Sequence, residues 1–508
     1  MAVFEYRTSL PHPRADVFAW FARPGALQRL SPPFSGSVRR EPDAGIEAGS
    51  TAQISVGAPG KLGLGLSGVA GTIASAVGRP GVVRPELPWT ARHVDHDPGR
   101  SFTDVMAVGP LRRWKHVHIF DDHELRSGET GTVMTDRVDY ELPLVSRLRE
   151  SGVGRRLSGW IRDRFADEMD RIFRYRERQL LGDLHFHAAH PGPALTVAVA
   201  GASGAVGTQV CALLAGGGHH VIRLVRRPAR SDDEVEWDPA SGWLDPSQLA
   251  ACDTVVNVSG SPLGRFTETN KKRMYASRVT GTALLVDALA ALSADGRERT
   301  LVNASAIGYY GADPHAAGPL SGPQSRAEPL SEDAPAGDDF MARLCRDWEA
   351  ACAPAERAGV RVVKVRTGIS QCPGGMMLQR FLPLYVAGVG GPLGAGQWHS
   401  WISLDDLAGI YAHSVLDARV SGSVNAVAPV PVTAREYANT LGRVLNRPSA
   451  VPVPGVGPKL LLGPEGAREL AAADQRVSSA KIEAAGYEFR HRSLEPALRH
   501  VLGRSPQD

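Results

Sequence analysis

A glycine-lined turn between an apolar strand and an apolar helix constrains this chain most. In LTVAVAGASGAVGTQVCALLAGGGHHVIRLVRRP, which begins at Leu195, an apolar run stops at Gly201, glycine recurs at 204 and 207, and a helical stretch and a second apolar run follow. The order predicts strand, tight turn, helix and parallel strand, since parallel strands need a crossover connection. Gly201 suits a sharp turn, Gly204 lets a phosphate approach the backbone, and Gly207 lets the helix pack closely on its sheet. Gly201, Ala202, Ser203, Gly204, Ala205, Val206 and Gly207 are therefore the candidate cradle. Its N–H groups point into the gap at a helix N-terminus, whose partial positive charge favours a pyrophosphate.

A fold of this kind that selects NAD usually ends its second strand on Asp or Glu, which binds the ribose hydroxyls. Here that region carries Arg223, Arg226 and Arg227. Cations favour a 2′-phosphate, so NADP is the expected cofactor, with Arg226 and Arg227 as contacts. Later strands are predicted at residues 254–258, 301–307 and 362–365, each stopping at small or polar residues. Their ends would line one crevice of a doubly wound parallel sheet, with Asn257, Val258, Ser259, Gly260, Ser305, Arg366 and Thr367 along it.

The chain has 508 residues, which at about 150 residues per domain suggests about three domains. A net charge of +3 gives no argument for nucleic acid or an acidic membrane surface and leaves a small molecule as the expected partner. The first ten residues mix apolar and charged types and do not read as a secretory signal, and no apolar run approaches the length of a membrane span. Cys211, Cys252, Cys345, Cys352 and Cys372 fall in no ligand spacing and read as reduced thiols of a cytoplasmic protein. No metal site is expected.

Residues 1–186 read as a separate α+β unit. Strands are predicted at 3–10, 51–56, 101–108, 114–120 and 132–142, and a helical stretch at 13–30. A long amphipathic helix closes the unit, its stripe formed by Leu157, Trp160, Ile161, Phe165, Met169, Ile172 and Phe173. His116 and His118 share a strand face and, with no partnered acid evident, read as ordinary sheet residues. HFHAAHPGP, which starts at His185, breaks both periodicities and marks an interdomain linker, placed at residues 187–193. The nucleotide-binding unit then covers residues 194–447 and a small C-terminal domain residues 448–508.

The first unit resembles the START-related, Bet v 1-like helix-grip superfamily. GPLRRWKHVHIF and TDRVDYELPL are similar to paired strands of polyketide cyclase and dehydrase relatives. That resemblance implies a curved sheet around a long helix and a cavity for a hydrophobic ligand. From Leu195 onward the chain resembles an atypical short-chain dehydrogenase/reductase of the epimerase-like kind. The motifs are GASGAVG, VNVSGSPL, SRVTGT, NASAIGYYG, GDDFMARLCRDWE, VRTGI and WHSWISLDDL, with a C-terminal stretch that starts at Leu461, LLGPEGARELAAADQRVSSAKIEAAGYEF. The implied architecture is a Rossmann fold with a small C-terminal domain, and Arg278 of SRVTGT joins the cofactor residues.

The wider superfamily pairs a tyrosine with a lysine four residues later and adds a serine that binds the reacting oxygen. Ser305 matches the serine, but no Tyr-x-x-x-Lys follows it. Three readings stay open: a phenol from Tyr309 or Tyr310, another proton carrier among Arg343, Arg346 and Asp347, or a domain that binds NADPH as a sensor without turnover. True nucleotide-sugar epimerisation is a further alternative, although no second diphosphate clamp is evident. Trp398 could cover a substrate ring, Trp401 and Ile402 read as core, and Asp405 as the cap of a helix starting near Leu407.

Overall fold

The computed structural model describes residues 1–57, 86–126, 128–143, 152–314, 328–372, 375–394 and 396–505. Leu144, which ends TDRVDYELPL, and Ala395 of the glycine-rich loop lie outside them. The first sheet contains β1 (Ala2–Leu10), β2 (Gly36–Arg40), β3 (Thr51–Gly57), β4 (Glu86–Asp97), β5 (Ser101–Val108), β6 (Arg113–Glu124) and β7 (Thr130–Glu141). It is antiparallel throughout, in the order β1-β7-β6-β5-β4-β3-β2. Side chains alternate faces along each strand. Val138, Tyr140 and Leu142 therefore reach Met169 and Phe173 on the helix Gly152–Ala188, while Leu10, Phe102, Phe120 and Met134 pack with Phe18, Phe21, Leu180 and Leu184.

This helix continues through His185–Ala188, the stretch where the sequence pattern places the start of a linker. Tertiary packing overrides the lost amphipathic period: His187 is largely buried against Gly217, and His190 Nε2 lies 2.7 Å from His413 Nδ1.

The second sheet is parallel. Its strands are β8 (Thr196–Ala200), β9 (His220–Val225), β10 (Glu234–Glu236), β11 (Thr254–Asn257), β12 (Thr300–Ala306), β13 (Arg361–Thr367) and, after three short strands, Gly422–Ala426. The order β10-β9-β8-β11-β12-β13 continues to Gly422–Ala426 at the far edge. Val197 and Val199 face one layer, with the helices Ala205–Gly216 and Leu404–Leu416, and Ala198 and Ala200 face the other, with Gly281–Leu292. The sheet is buried on both faces, which explains the near-continuous apolar runs read in the sequence.

The C-terminal helix Leu494–Val501 shares a core with Phe34 and Tyr175 of the first unit and with Leu378, Tyr385, Trp401 and Tyr437 of the second. A buried ionic cluster stands beside it. Arg29 donates to Asp183 through Nε at 2.8 Å and Nη2 at 2.6 Å, and its Nη1 lies 3.1 Å from Asp405. Arg490 also pairs with Asp183, and His500 with Asp405. Asp405 is thus an interdomain ion partner rather than a helix cap. That cap is Ser403, whose hydroxyl accepts from the Asp406 N–H at 2.9 Å. All five cysteines are free and buried. Among the described residues no helix is long and apolar enough to cross a membrane.

Candidate active site

The strand-turn-helix forms as its sequence requires. Gly201 has φ +84°, a conformation that L side chains rarely adopt, and a Cβ there would meet Val258 and the Ser259 nitrogen at 2.8 Å. A Cβ on Gly207 would collide with the backbone of Gly201 and Ala202. These two positions press the helix onto its turn. Gly204 is the N-cap and supplies no side-chain cap, and Ser203, Gly204 and Ala205 are exposed. The first turn of a twelve-residue helix therefore presents backbone donors at an open, positively polarised end, which fits a pyrophosphate.

At the end of β9, Arg226 is exposed, whereas Arg227 donates twice to Glu234, at 2.8 and 2.6 Å. Those hydrogen bonds hold the Glu234 carboxyl down to about 2. Arg226 is the freer of the two for a phosphate. Next to the cradle, Ser259 donates through N and Oγ to Asn257 Oδ1 at 3.1 and 2.6 Å. Asn257 in turn bonds Thr282 and Asn303, and Trp348 Nε1 donates to Thr282 Oγ1 at 2.8 Å. Arg278 lies on a π-helical turn, donates to the carbonyls of Ser261 and Met274, and stands 5.4 Å from the Trp348 ring. Burial pushes its pKa down, and it faces a cavity of about 990 Å³.

This cavity extends from the crevice toward the C-terminal helices. Ser305, Gly308, Thr367, Gly368 and Trp398 line it, and so do Met341, Leu344, Cys345 and Trp348 on the inner side of the helix Phe340–Ala350. Most of the wall is apolar. Ser305 Oγ donates to Glu349 Oε1 at 2.7 Å, and the same carboxylate takes Arg366 Nε at 2.8 Å and Nη2 at 2.9 Å. Burial opposes the charge on Arg366, yet the Glu349 carboxylate keeps its pKa above the usual guanidinium value.

Ser305 and Thr367 come together at the cavity, with Arg366 behind them. Tyr310 is buried outside the lining: it donates to Asn425 Oδ1 at 2.7 Å and accepts from Arg366 Nη1 at 3.0 Å. Burial pushes its phenol up to about 12. Tyr309 is half-buried, also outside the lining, with the Arg366 guanidinium 3.6 Å from its ring centroid. Arg343 and Arg346 are exposed and, like Asp347, lie off the cavity wall. Trp401 and Ile402 are fully buried core residues.

Sequence reasoning missed Glu349 and His399. Glu349 is a charged residue on the buried side of an amphipathic helix, an anomaly visible in GDDFMARLCRDWE. His399, in WHSW, lines the cavity with its Nδ1 unpartnered, and burial pushes its imidazole down to about 4. It is neutral at pH 7, and burial makes it a weak proton acceptor. Its sequence signal is its place between the two tryptophans of WHSW.

The parallel sheet, glycine cradle and serine-floored cavity define an epimerase-type member of the short-chain dehydrogenase/reductase group. Residues 197–382 match the NAD dependent epimerase/dehydratase family, and residues 453–501 a domain of unknown function, DUF1731. An epimerase family protein of Mycobacterium bovis is 38% identical over 311 residues, which cover 61% of this chain and 98% of that protein. The chain belongs to the epimerase family. The solved human epimerase family protein SDR39U1, crystallised with NADPH, is 31% identical and matches 61% of this chain and 99% of its own with a TM-score of 0.52. A solved nucleoside-diphosphate sugar epimerase from Corynebacterium glutamicum is 32% identical, with a TM-score of 0.72 over 98% of this chain and 90% of that one.

Proposed function

We propose that this chain is an NADP(H)-dependent oxidoreductase acting on the carbonyl or alcohol carbon of an apolar substrate. The observation that carries this reading is the link from the uncapped glycine cradle, where Gly201 packs on Val258 and Ser259, through Gly260, which abuts the Arg278 guanidinium, to a largely apolar cavity lined by Arg278 and Ser305. Bound NADPH supplies a hydride. Gly201, Ala202, Ser203, Gly204, Ala205, Val206 and Gly207 hold the pyrophosphate, with Val258, Ser259 and Gly260 against the turn, and Arg226, assisted by Arg227, holds the 2′-phosphate. Arg278 and Thr367 flank the reacting end, and Arg366 acts by positioning Glu349. Ser305, oriented by Glu349, binds the substrate oxygen. Its hydroxyl, the neutral His399 and the Glu469 carboxyl, which burial pushes up, are groups of the cavity wall able to exchange a proton, with Tyr309 the nearer of the two tyrosines to solvent. The human relative's complex with NADPH supports the cofactor choice.

An apolar wall offers little to a sugar, which disfavours nucleotide-sugar epimerisation. A non-catalytic NADPH sensor is favoured by one observation, the commitment of the Tyr310 hydroxyl to Asn425 and Arg366. The first unit, residues 1–186, we read as a START-related, Bet v 1-like domain for a hydrophobic ligand, fused to the Rossmann unit at 194–447 and the C-terminal segment at 448–508. NADPH oxidation measured across a panel of apolar aldehydes and ketones tests the reading. Turnover that Ser305→Ala removes supports it; binding of NADPH without turnover on any member selects the sensor.

A further inference from the structure

His116 and His118, two residues apart on β6, project from the same face, and their rings lie 3.8 Å apart centroid to centroid. Register sets Asp104 of β5 opposite His116 and Asp136 of β7 opposite His118. Both histidines are 3% exposed, as is Asp136. The two carboxylates bracket the two rings. On one side Asp136 Oδ1 stands 2.8 Å from His116 Nε2 and 2.8 Å from His118 Nδ1. On the other, Asp104 Oδ2 stands 3.5 Å from both His116 Nδ1 and His118 Nε2.

We propose that Asp104, His116 and His118 bind a divalent cation of the zinc class, with Asp136 as the residue that orients both imidazoles. Ligand atoms on a tetrahedral ion with bonds of about 2.0–2.1 Å lie about 3.3–3.4 Å from one another. The 3.5 Å separations on the Asp104 side match that edge and are long for a hydrogen bond. A metal-ligating histidine characteristically gives its other ring nitrogen to a carboxylate, the place Asp136 takes here. A further imidazole reinforces the assignment: His93, 8% exposed and with its Nδ1 buried and unpartnered, stands opposite Asp104 in register. A divalent ion would also offset the two buried carboxylates, a pairing that buried charge requires. The site lies in the antiparallel sheet and is independent of the cofactor reading.

The test uses the full-length protein, stripped with a chelator and titrated with zinc by calorimetry and with cobalt(II) by absorption. The expected result is one ion per chain, with the intense visible bands of tetrahedral cobalt, and a weakening of about 10–100-fold in Asp136→Asn. His116→Ala combined with His118→Ala abolishes uptake. Because removing two buried rings can unfold the sheet, His118→Gln, its fold checked by near-ultraviolet circular dichroism, must lose the cobalt bands as well. An intact protein that takes up neither ion, or uptake that survives in folded His118→Gln, overturns the proposal and leaves a hydrogen-bonded histidine–aspartate cluster.

Discussion

Ser305 Oγ donates a 2.7 Å hydrogen bond to Glu349 Oε1, an oxygen that also receives Arg366 Nε. The serine expected to meet the substrate oxygen is therefore held by a carboxylate that a guanidinium neutralises. Ser305→Ala is expected to lower turnover by about 10²–10³, the loss typical of one preorganised donor, while NADPH affinity stays unchanged. Steady-state kinetics beside a binding titration separate the two effects.

Glu349→Gln should act on stability instead. It leaves Arg366 buried without its countercharge, and removing one partner of a buried pair costs about 3–5 kcal/mol. Urea unfolding monitored by tryptophan fluorescence measures this, and a loss below about 1 kcal/mol, the scale of an exposed pair, would contradict the buried network.

Arg226 and Arg227 should differ. Because Arg227 is tied to Glu234 by two hydrogen bonds and Arg226 is exposed, Arg226→Ala is expected to reduce the preference for NADPH over NADH by about 10–100-fold, the equivalent of one charged hydrogen bond. Arg227→Ala should change it less. Parallel titrations with both coenzymes give the ratio.

The contact between the units rests on a fully buried arginine. Arg29 is 1% exposed and Asp183 0%, so Arg29→Met strands the Asp183 charge with only Arg490 to offset it and should destabilise the protein by about 3–5 kcal/mol. If the substitution instead leaves the unfolding midpoint unchanged, the cluster is not an energetic joint.

Acid should weaken the fold well before the carboxylates titrate. Burial holds His187, His399, His413 and His500 down to about 4. Unfolded histidines take up protons near 6.5 while these native ones do not, so stability is full above that pH and falls as the pH drops from about 6.5 toward 4, by about 1.4 kcal/mol per pH unit for each group. Unfolding midpoints across this window should decline steadily; a flat profile would refute the burial of neutral imidazoles.

Local patterns carried much of the architecture. Residues 101–108 form a strand with the bounds their alternation predicts, and GASGAVG makes the turn its glycines require. What stayed hidden depends on register and tertiary contact. Asp104 and Asp136 lie on neighbouring strands, and only the pairing of β5, β6 and β7 brings them to His116 and His118, so the absence of a partnered acid inferred from sequence is corrected here. Likewise Asp405 sits where a cap residue belongs, and only the docking of the first unit gives it Arg29. The end of the long helix was illegible because His187 gains its burial from Gly217, across the domain boundary.

Calorimetry of the full-length protein with NADPH and with NADH tests the central claim most directly. Saturable binding of NADPH at one site per chain, at least tenfold tighter than NADH and lost when Gly201→Val fills the turn, is the predicted result. Failure to bind either coenzyme, or a clear preference for NADH, would contradict it.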